Sequence, residues 1–413
     1  MSVPSCGYKV RVIAAFVTLS SSDFPSSPET LKSSLLFTKL SSANDLMNVT
    51  KKALEDKGYE VQTTRIATNS FTEYLDLTSD ETFNSQLSQI DSILETLSIN
   101  FFSLGPCRTI QHTEKYPLMI LPTSGRLSVS SMIAACDLEH ANASAKTIIS
   151  LSEIPETSGL LNFRYCAQST TSQPLTPFFP TAYAPSTGEN CIRLAVGLEN
   201  GFLANSGLKL CSNLDDIGTK FLDHYSSKIA PLVEEVSKTV QGLNVEGFTC
   251  EYVGIDTSLN PSLDEGGSIG SALEQLPFIP NGISGVGVMA AAAAITTAIQ
   301  SLPFSLTGYC GIMLPVCEDY RLSEIQASKQ GRKYTVSHLM NVSSVCGVGV
   351  DTVPIPKDVD YKQVSGVIMD ICGLAARWNK PLSVRMFPVP DLEEGEMTGF
   401  DSPYLCNTKV FGL

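Results

Sequence analysis

Short β-branched runs alternate with amphipathic helical patterns along most of this chain, and that alternation leaves few folds open. The run KVRVIAAFV (9–17) reads as a strand, ANDLMNVTKKALEDKG (43–58) as a helix closed by Gly58, and YEVQTTRIA (59–67) as the next strand. The same grammar carries ETFNSQLSQIDSILETL into SINFFSL, and SSMIAACDLEHANASAKTIISL, read as a helix, into LNFRYCAQ. The second half continues it with strand NCIRLAVGL, a helix around 214–240, strand FTCEYVGIDTSL, helices around 268–276 and 289–299, and strand TGYCGIMLPV. SSVCGVGV, a helix around 362–377 and strand PLSVRMFPV complete it. About ten strand candidates separated mostly by helices predict an α/β protein with one large parallel or mixed sheet, open or closed into a barrel.

At 413 residues and 43% hydrophobic content the chain can bury a large core, and a single α/β domain spanning 1–413 is compatible with that length. The loop-rich stretch Ser169–Asn190, punctuated by Pro and Ser, reads as an insertion, either a lid or a surface excursion. With 28 basic against 42 acidic residues, the formal charge of −14 repels nucleic acid and anionic lipid, so neither is an expected partner. No apolar run reaches the length of a membrane span, and the apolar centre of Lys9–Asp23 is too short for a signal peptide; the expectation is a soluble, cytoplasmic protein. The twelve cysteines lack CxxC pairs and zinc spacing and are expected as reduced thiols, and the sequons at Asn48, Asn142 and Asn341 then carry no meaning.

Four strands deliver acidic residues just past their apolar runs: Glu199, Asp256, Glu318 with Asp319, and Asp351. In sheets built from βαβ units the carboxyl ends of strands converge on the edge where ligands bind. Gathered there, such carboxylates divide acid and base work or hold Mg²⁺ or Ca²⁺, with Glu318, Asp319 and Asp351 as the metal candidates. The alternative is that they cap the helices after them. Gly282, Gly285 and Gly287 before an alanine-rich helix suit either an anion-binding helix start or close helix–sheet packing. Cys346 and Cys310 lie beside glycines, as nucleophiles or as small buried thiols. The four histidines form no HExxH motif, and there is no GxSxG elbow.

Taken in order, INFFSL, LAVGLENGFLANSG, VGIDTSLNPS, GYCGIMLPVCED, SSVCGVGVDTVPIPKD and KPLSVRMFPVPDLEEGE resemble the family known as domain of unknown function 711. The resemblance runs from about Lys9 to the end and is clearest after Glu251. It implies a barrel of about ten strands like that of the glycyl-radical enzyme pyruvate formate-lyase, with helices outside, and with VCGVGVDTVPIPKD as a glycine-hinged strand end that turns Asp351 to a pocket. Radical chemistry is not implied: where those enzymes carry Arg-Val-x-Gly-aromatic, this chain ends TKVFGL, with Lys409, Gly412 and Leu413. The stretch RYCAQSTTSQPLTPFFP also keeps poorly the Cys-Ser-Ser and Gly-Ser-Thr pattern of longer bacterial members.

The function expected from these residues is that of an enzyme acting on a small polar metabolite by acid–base or metal-assisted chemistry, with Glu199, Asp256, Glu318, Asp319, Asp351 and Cys346 as candidates. The alternative is a non-catalytic metabolite-binding or scaffolding protein on the same fold. Homo-oligomerisation is left open.

Overall fold

The computed structural model describes residues 6–25, 28–155, 159–170, 175–329 and 333–413. Among these, ten strands form one sheet: β1 Lys9–Val17, β2 Val61–Thr68, β3 Phe102–Cys107, β4 Leu127–Ile133, β5 Tyr165–Ser169, β6 Cys191–Glu199, β7 Asn244–Val245, β8 Phe248–Asp256, β9 Val348–Pro356 and β10 Leu382–Val389. Their order is β7-β8-β6-β1-β2-β3-β4-β5-β10-β9. β1 to β5 run parallel to one another, β6 and β8 are parallel to each other, and so are β9 and β10. The groups meet antiparallel at β1–β6 and β5–β10, and the short β7 pairs antiparallel to β8.

The two faces of β1 show how the layers divide. Ile13, Ala15 and Val17 belong to the main core with Leu36, Leu40 and Leu46 of the helix Leu35–Asp56. Val12, Ala14 and Phe16 face the other way and cluster with Ala182 and Ala184. Strands covered on both faces read as the continuous apolar runs seen in the sequence.

The segment read as an insertion divides: residues 175–185 are not a surface excursion, whereas residues 186–190 are exposed. Ser103 donates to Ala182 O at 2.7 Å, Ala184 N to Thr68 O at 2.9 Å, and Thr18 to Pro185 O at 2.9 Å, so residues 175–185 lie along the inner face of the sheet. The reason is written in its apolar members Leu175, Phe178, Phe179, Ala182 and Ala184, which Pro and Ser punctuation obscured. Residues 171–174 of that stretch lie outside the described residues.

Three further expectations are corrected. LSVSSMI is strand β4, and its helix begins only at Leu138, after Asp137 accepts from His140 N. TGYCGIMLPV makes isolated bridges, Ile255 with Leu306 just before it and Leu259 with Ile312, because Gly308 and Cys310 at φ +74° and +45° break an extended run. Asp351 is not at a strand end: β9 begins at Val348 and continues through Pro356. Pro354 and Pro356 are tolerated because β9 is last in the sheet order, where one row of backbone donors has no neighbouring strand. Helices Ile110–Ile120, Gly201–Leu208, Tyr320–Ala327 and Val336–Ser343 are not evident from the apolar spacing.

Two register shifts fall at charged residues. Val10 pairs with Leu198 and Val12 with Gly197, leaving Arg11 as the extra residue of a bulge in β1. Val350 pairs with Val384 and Val353 with Met386, so Asp351 and Thr352 together oppose Arg385. A bulge interrupts the regular alternation of side chains and re-aims them. The second is seeded by Gly349, at φ +98°, whose Cβ position would collide with the Ser383 carbonyl. Gly349→Ala should therefore cost about 2–3 kcal/mol or more in urea unfolding, through both backbone strain and overpacking; an unchanged midpoint would show that β9 and β10 do not depend on this close approach.

Candidate functional site

A cavity of about 600 Å³ lies on the inner face of the sheet. It is lined by Arg11 of β1, Arg65 of β2, Ser128 of β4, Cys166 of β5, Glu199 of β6, Asp351 of β9 and Arg385 of β10, with Glu318 from the turn Val316–Glu318. Pockets of this size hold small metabolites.

Arg385 is the centre of the polar wall and is only 7% exposed. Its Nε donates to Asp351 Oδ1 at 2.6 Å and its Nη2 to Asp351 Oδ2 at 3.0 Å, a bidentate fork, while Nη2 also reaches Glu318 Oε1 at 2.6 Å. The Phe163 ring lies 5.1 Å from the guanidinium, and Nη1 donates to Phe163 O at 3.2 Å. On the far side, Glu318 Oε2 is 3.6 Å from Arg11 Nη2. Arg11 Nη1 holds Glu199 Oε2 at 3.0 Å, and Gln62 donates to the same oxygen at 3.0 Å. One ionic chain thus runs Asp351–Arg385–Glu318–Arg11–Glu199 across the cavity.

That chain also reports the curvature of the sheet. β1 and β10 are five strand steps apart, which in a flat sheet is about 24 Å. A single carboxylate, Glu318, contacts an arginine from each. The sheet must curl strongly around the cavity for this to happen.

Burial pushes the Glu318 carboxyl above its ordinary range; Arg385 and Arg11 oppose that push, and Asp351 adds to it. Burial also weakens the Arg385 cation, but the carboxylates of Asp351 and Glu318 outweigh it and hold Arg385 above its usual value. Arg65 differs: burial, then the neighbouring Arg11 guanidinium, lower it to about 9.

The structure brings together three of the residues expected from sequence, Glu199, Glu318 and Asp351, and places the others elsewhere. Asp256 accepts from Ser258 Oγ at 2.5 Å, Tyr309 N at 2.8 Å and Cys310 N at 3.1 Å, tying the loop after β8 to the 309–310 turn. Asp319 caps the helix Tyr320–Ala327 through Leu322 N at 3.0 Å and accepts from Ser268 Oγ at 2.5 Å and Ile269 N at 2.7 Å. The capping alternative holds for Asp319, so the set Glu318, Asp319 and Asp351 does not converge on one point. Among the described residues no group of three or more His, Cys, Asp and Glu side chains is gathered as a metal ion would need. Cys346 is buried against Ile312 O, and burial pushes both its thiol and that of Cys310 up to about 12, the wrong direction for a nucleophile. Gly282, Gly285 and Gly287 lie outside the cavity wall; Gly287, at φ +93°, is the residue before the helix Val288–Gln300.

The sequence reading missed Arg11, Arg65, Gln62 and Arg385. Each arginine interrupts an apolar strand (KVRVIAAFV, TTRIA, SVRMFPV), and a cation there must find a partner or a cavity, which is the signal that could have found them. Arg193 in CIRLAVGLE carries the same signal but pairs with Glu251 at 3.3 Å away from the cavity.

Fold and site together define an α/β protein with an ion-paired polar cavity inside a curled, mostly parallel sheet. The chain belongs to the family described as uncharacterised ACR (DUF711), whose profile matches residues 3–401. It is similar to a UPF0210 protein of Lactobacillus helveticus, 22% identical over 376 residues, covering 87% of this chain and 81% of that protein. A UPF0210 protein of Pyrobaculum arsenaticum is 26% identical over 278 residues, 66% of this chain and 58% of its own length. One from Sulfurisphaera tokodaii is 30% identical over 224 residues, 52% and 47% respectively. The chain spans about half the length of these two relatives.

Arg385→Met should leave Glu318 and Asp351 buried without their shared cation and cost about 3–5 kcal/mol at neutral pH. A carboxyl whose folded-state pKa lies above its unfolded value destabilises the fold above that value, so the deficit should shrink as the pH falls toward the ordinary glutamate range. Urea titrations at a series of pH values check this, and a deficit that grows in acid would refute the assignment.

Proposed function

We propose that this protein is an enzyme acting on a small polar metabolite by general acid–base chemistry in the cavity, with Glu318 as the proton-transferring group. The observation that carries this is the position of Glu318 on the cavity wall, between Arg385 at 2.6 Å and Arg11 at 3.6 Å, with burial raising its carboxyl above the ordinary range. A carboxyl raised toward the working pH both takes and returns a proton efficiently. Asp351 and Glu199 serve as fixed counter-charges: each is engaged by an arginine, and their role is to hold Arg385 and Arg11 in place.

The second reading, a non-catalytic metabolite-binding protein, is favoured by the same ionic chain, in which each carboxylate already has a guanidinium partner. We further propose that the sheet closes into a barrel of the pyruvate formate-lyase type. Supporting this, the segment 306–317 bridges to β8 at Ile255 and to Leu259 just after it, and bonds toward β9 through Cys346 Sγ to Ile312 O and Cys317 N to Thr352 Oγ1. It thus lies between the residues that continue from β8 and those at β9. A cytoplasmic location fits the twelve unpaired thiols, and no helix among the described residues is long and apolar enough to cross a membrane.

The test is incubation of the protein with a pool of small polar metabolites in deuterated buffer, read by mass spectrometry for new products or deuterium uptake. The wild type should convert at least one compound, and Glu318→Gln should lose about a hundredfold or more of that rate while keeping its melting temperature. A metabolite that raises the melting temperature without turnover would decide for the binding protein.

A further inference from the structure

Four guanidiniums line the cavity, and three of them are fully engaged. Arg385 is shared by Asp351 and Glu318, and Arg11 by Glu199 and Glu318. Arg164 donates to the main-chain carbonyls of Leu121, Ser124 and Leu127. Arg65 has no carboxylate within ion-pair distance among the described residues. Its one hydrogen bond there is from Nε to Thr63 Oγ1 at 3.1 Å, and Thr63 in turn donates to Arg11 O at 2.7 Å. The two terminal nitrogens therefore form an open fork on the cavity wall. The guanidinium also lies against two rings, 4.8 Å from Phe101 and 5.4 Å from Phe179, which fix its plane and keep water from its faces. A cation so held, in a mostly apolar stretch of wall that continues through Phe178 and Met313, costs free energy until an anion meets it.

We infer that Arg65 is the anchor for an organic monocarboxylate, whose carboxylate takes the open fork and whose apolar body lies along Phe101, Phe178, Phe179 and Met313. This names the substrate class of the acid–base cavity and rests on that reading. A carboxylate matches the planar fork with two parallel hydrogen bonds. The charge count selects a monoanion over a phosphate ester. Lys9 on the wall is neutralised by Glu60, and the four guanidiniums balance Glu199, Asp264, Glu318 and Asp351. A monoanion brings the one charge that the Arg65 fork can meet, and the second charge of a dianion finds the other three guanidiniums already engaged. Burial and the nearby Arg11 already lower the Arg65 cation to about 9, and a carboxylate on its fork would reverse that shift.

The experiment uses acetate, benzoate, phenylacetate and phenylpyruvate, each beside its neutral amide, with phenyl phosphate as the dianionic control. Binding is read by calorimetry and by the melting temperature of the full chain. At least one carboxylate should bind the wild type, with its amide and phenyl phosphate much weaker. Arg65→Gln should lower that affinity roughly ten- to a hundredfold, and Arg65→Lys should retain part of it. Since Arg65 holds no partner carboxylate, both variants should melt near the wild type, which separates lost binding from lost folding. Glu318→Gln should keep carboxylate binding, so a cavity that binds but never turns over fails the acid–base reading and leaves this one standing. The inference is overturned if no carboxylate binds better than its amide, if phenyl phosphate binds tighter than the carboxylates, or if Arg65→Gln binds them as the wild type does.

Discussion

The constraint on which this structure turns is the burial of the Arg385 guanidinium. A charge taken from water into the inner face of a sheet is tolerated only where partners satisfy its donors, and three elements are committed to that task. β9 supplies Asp351, the turn Val316–Glu318 supplies Glu318, and the chain after Leu160 supplies the Phe163 ring and carbonyl. Glu318 needs a further positive charge, and Arg11 provides it from the other side of the cavity. Once those groups must meet, the sheet has to curl and the strands that carry them have to depart from regular pairing.

Those departures occur where the charges are. Arg11 is itself the extra residue of the bulge between β1 and β6, and Arg385 is the single residue opposite the bulge formed by Asp351 and Thr352. Beyond its bulge β1 keeps strict alternation, with Ile13, Ala15 and Val17 turned to the helices and Val12, Ala14 and Phe16 turned to the residues 175–185 that fill the inner face. Two interruptions of the ladder thus coincide with charged groups of the cavity, while those of β3 with β4 and β6 with β8 fall at uncharged residues. The arrangement leaves one end of the inner face filled with Ala and Phe and the other open as the cavity.

Much of the fold was legible because it follows from periodicity. The strand 9–17 and the helix 361–378 fall within a residue of where the apolar spacing put them, and the α/β class follows from the alternation alone. What was not legible depended on distance. SSMI reads equally as the start of a helix or the end of a strand, and only the parallel pairing of β4 with β3 and β5 decides it. The site was half legible for a related reason. An acidic residue after an apolar run looks the same whether it caps the next helix, as Asp319 does, or turns into a cavity, as Glu318 next to it does. The neighbour that makes the difference for Asp319 is Ser268, fifty-one residues away in sequence. The arginines carried a clearer signal, since a cation inside KVRVIAAFV or SVRMFPV must find a partner or a cavity, and the one bland outcome seen, Arg193 paired with Glu251, compares with several for an acid in a loop.

The strained backbone of β9 is explained by the same geometry. Val348 at φ +128° and Thr352 at φ +48° are unfavourable for β-branched residues, at a cost of order 1–3 kcal/mol each, and such conformations persist only where surrounding contacts impose them. For Thr352 the contact is visible: its Oγ1 accepts from Cys317 N at 3.1 Å. Cys317 precedes Glu318 and Thr352 follows Asp351, so this one hydrogen bond joins the two backbones that carry the carboxylates flanking Arg385. Their separation is held from two sides, by this bond and by the guanidinium that bridges the two carboxylates. That arrangement makes Thr352 a positioning residue. It does not line the cavity, yet it helps hold the spacing of the two charges that do, and a site held in this way reorganises little when a proton or a ligand arrives.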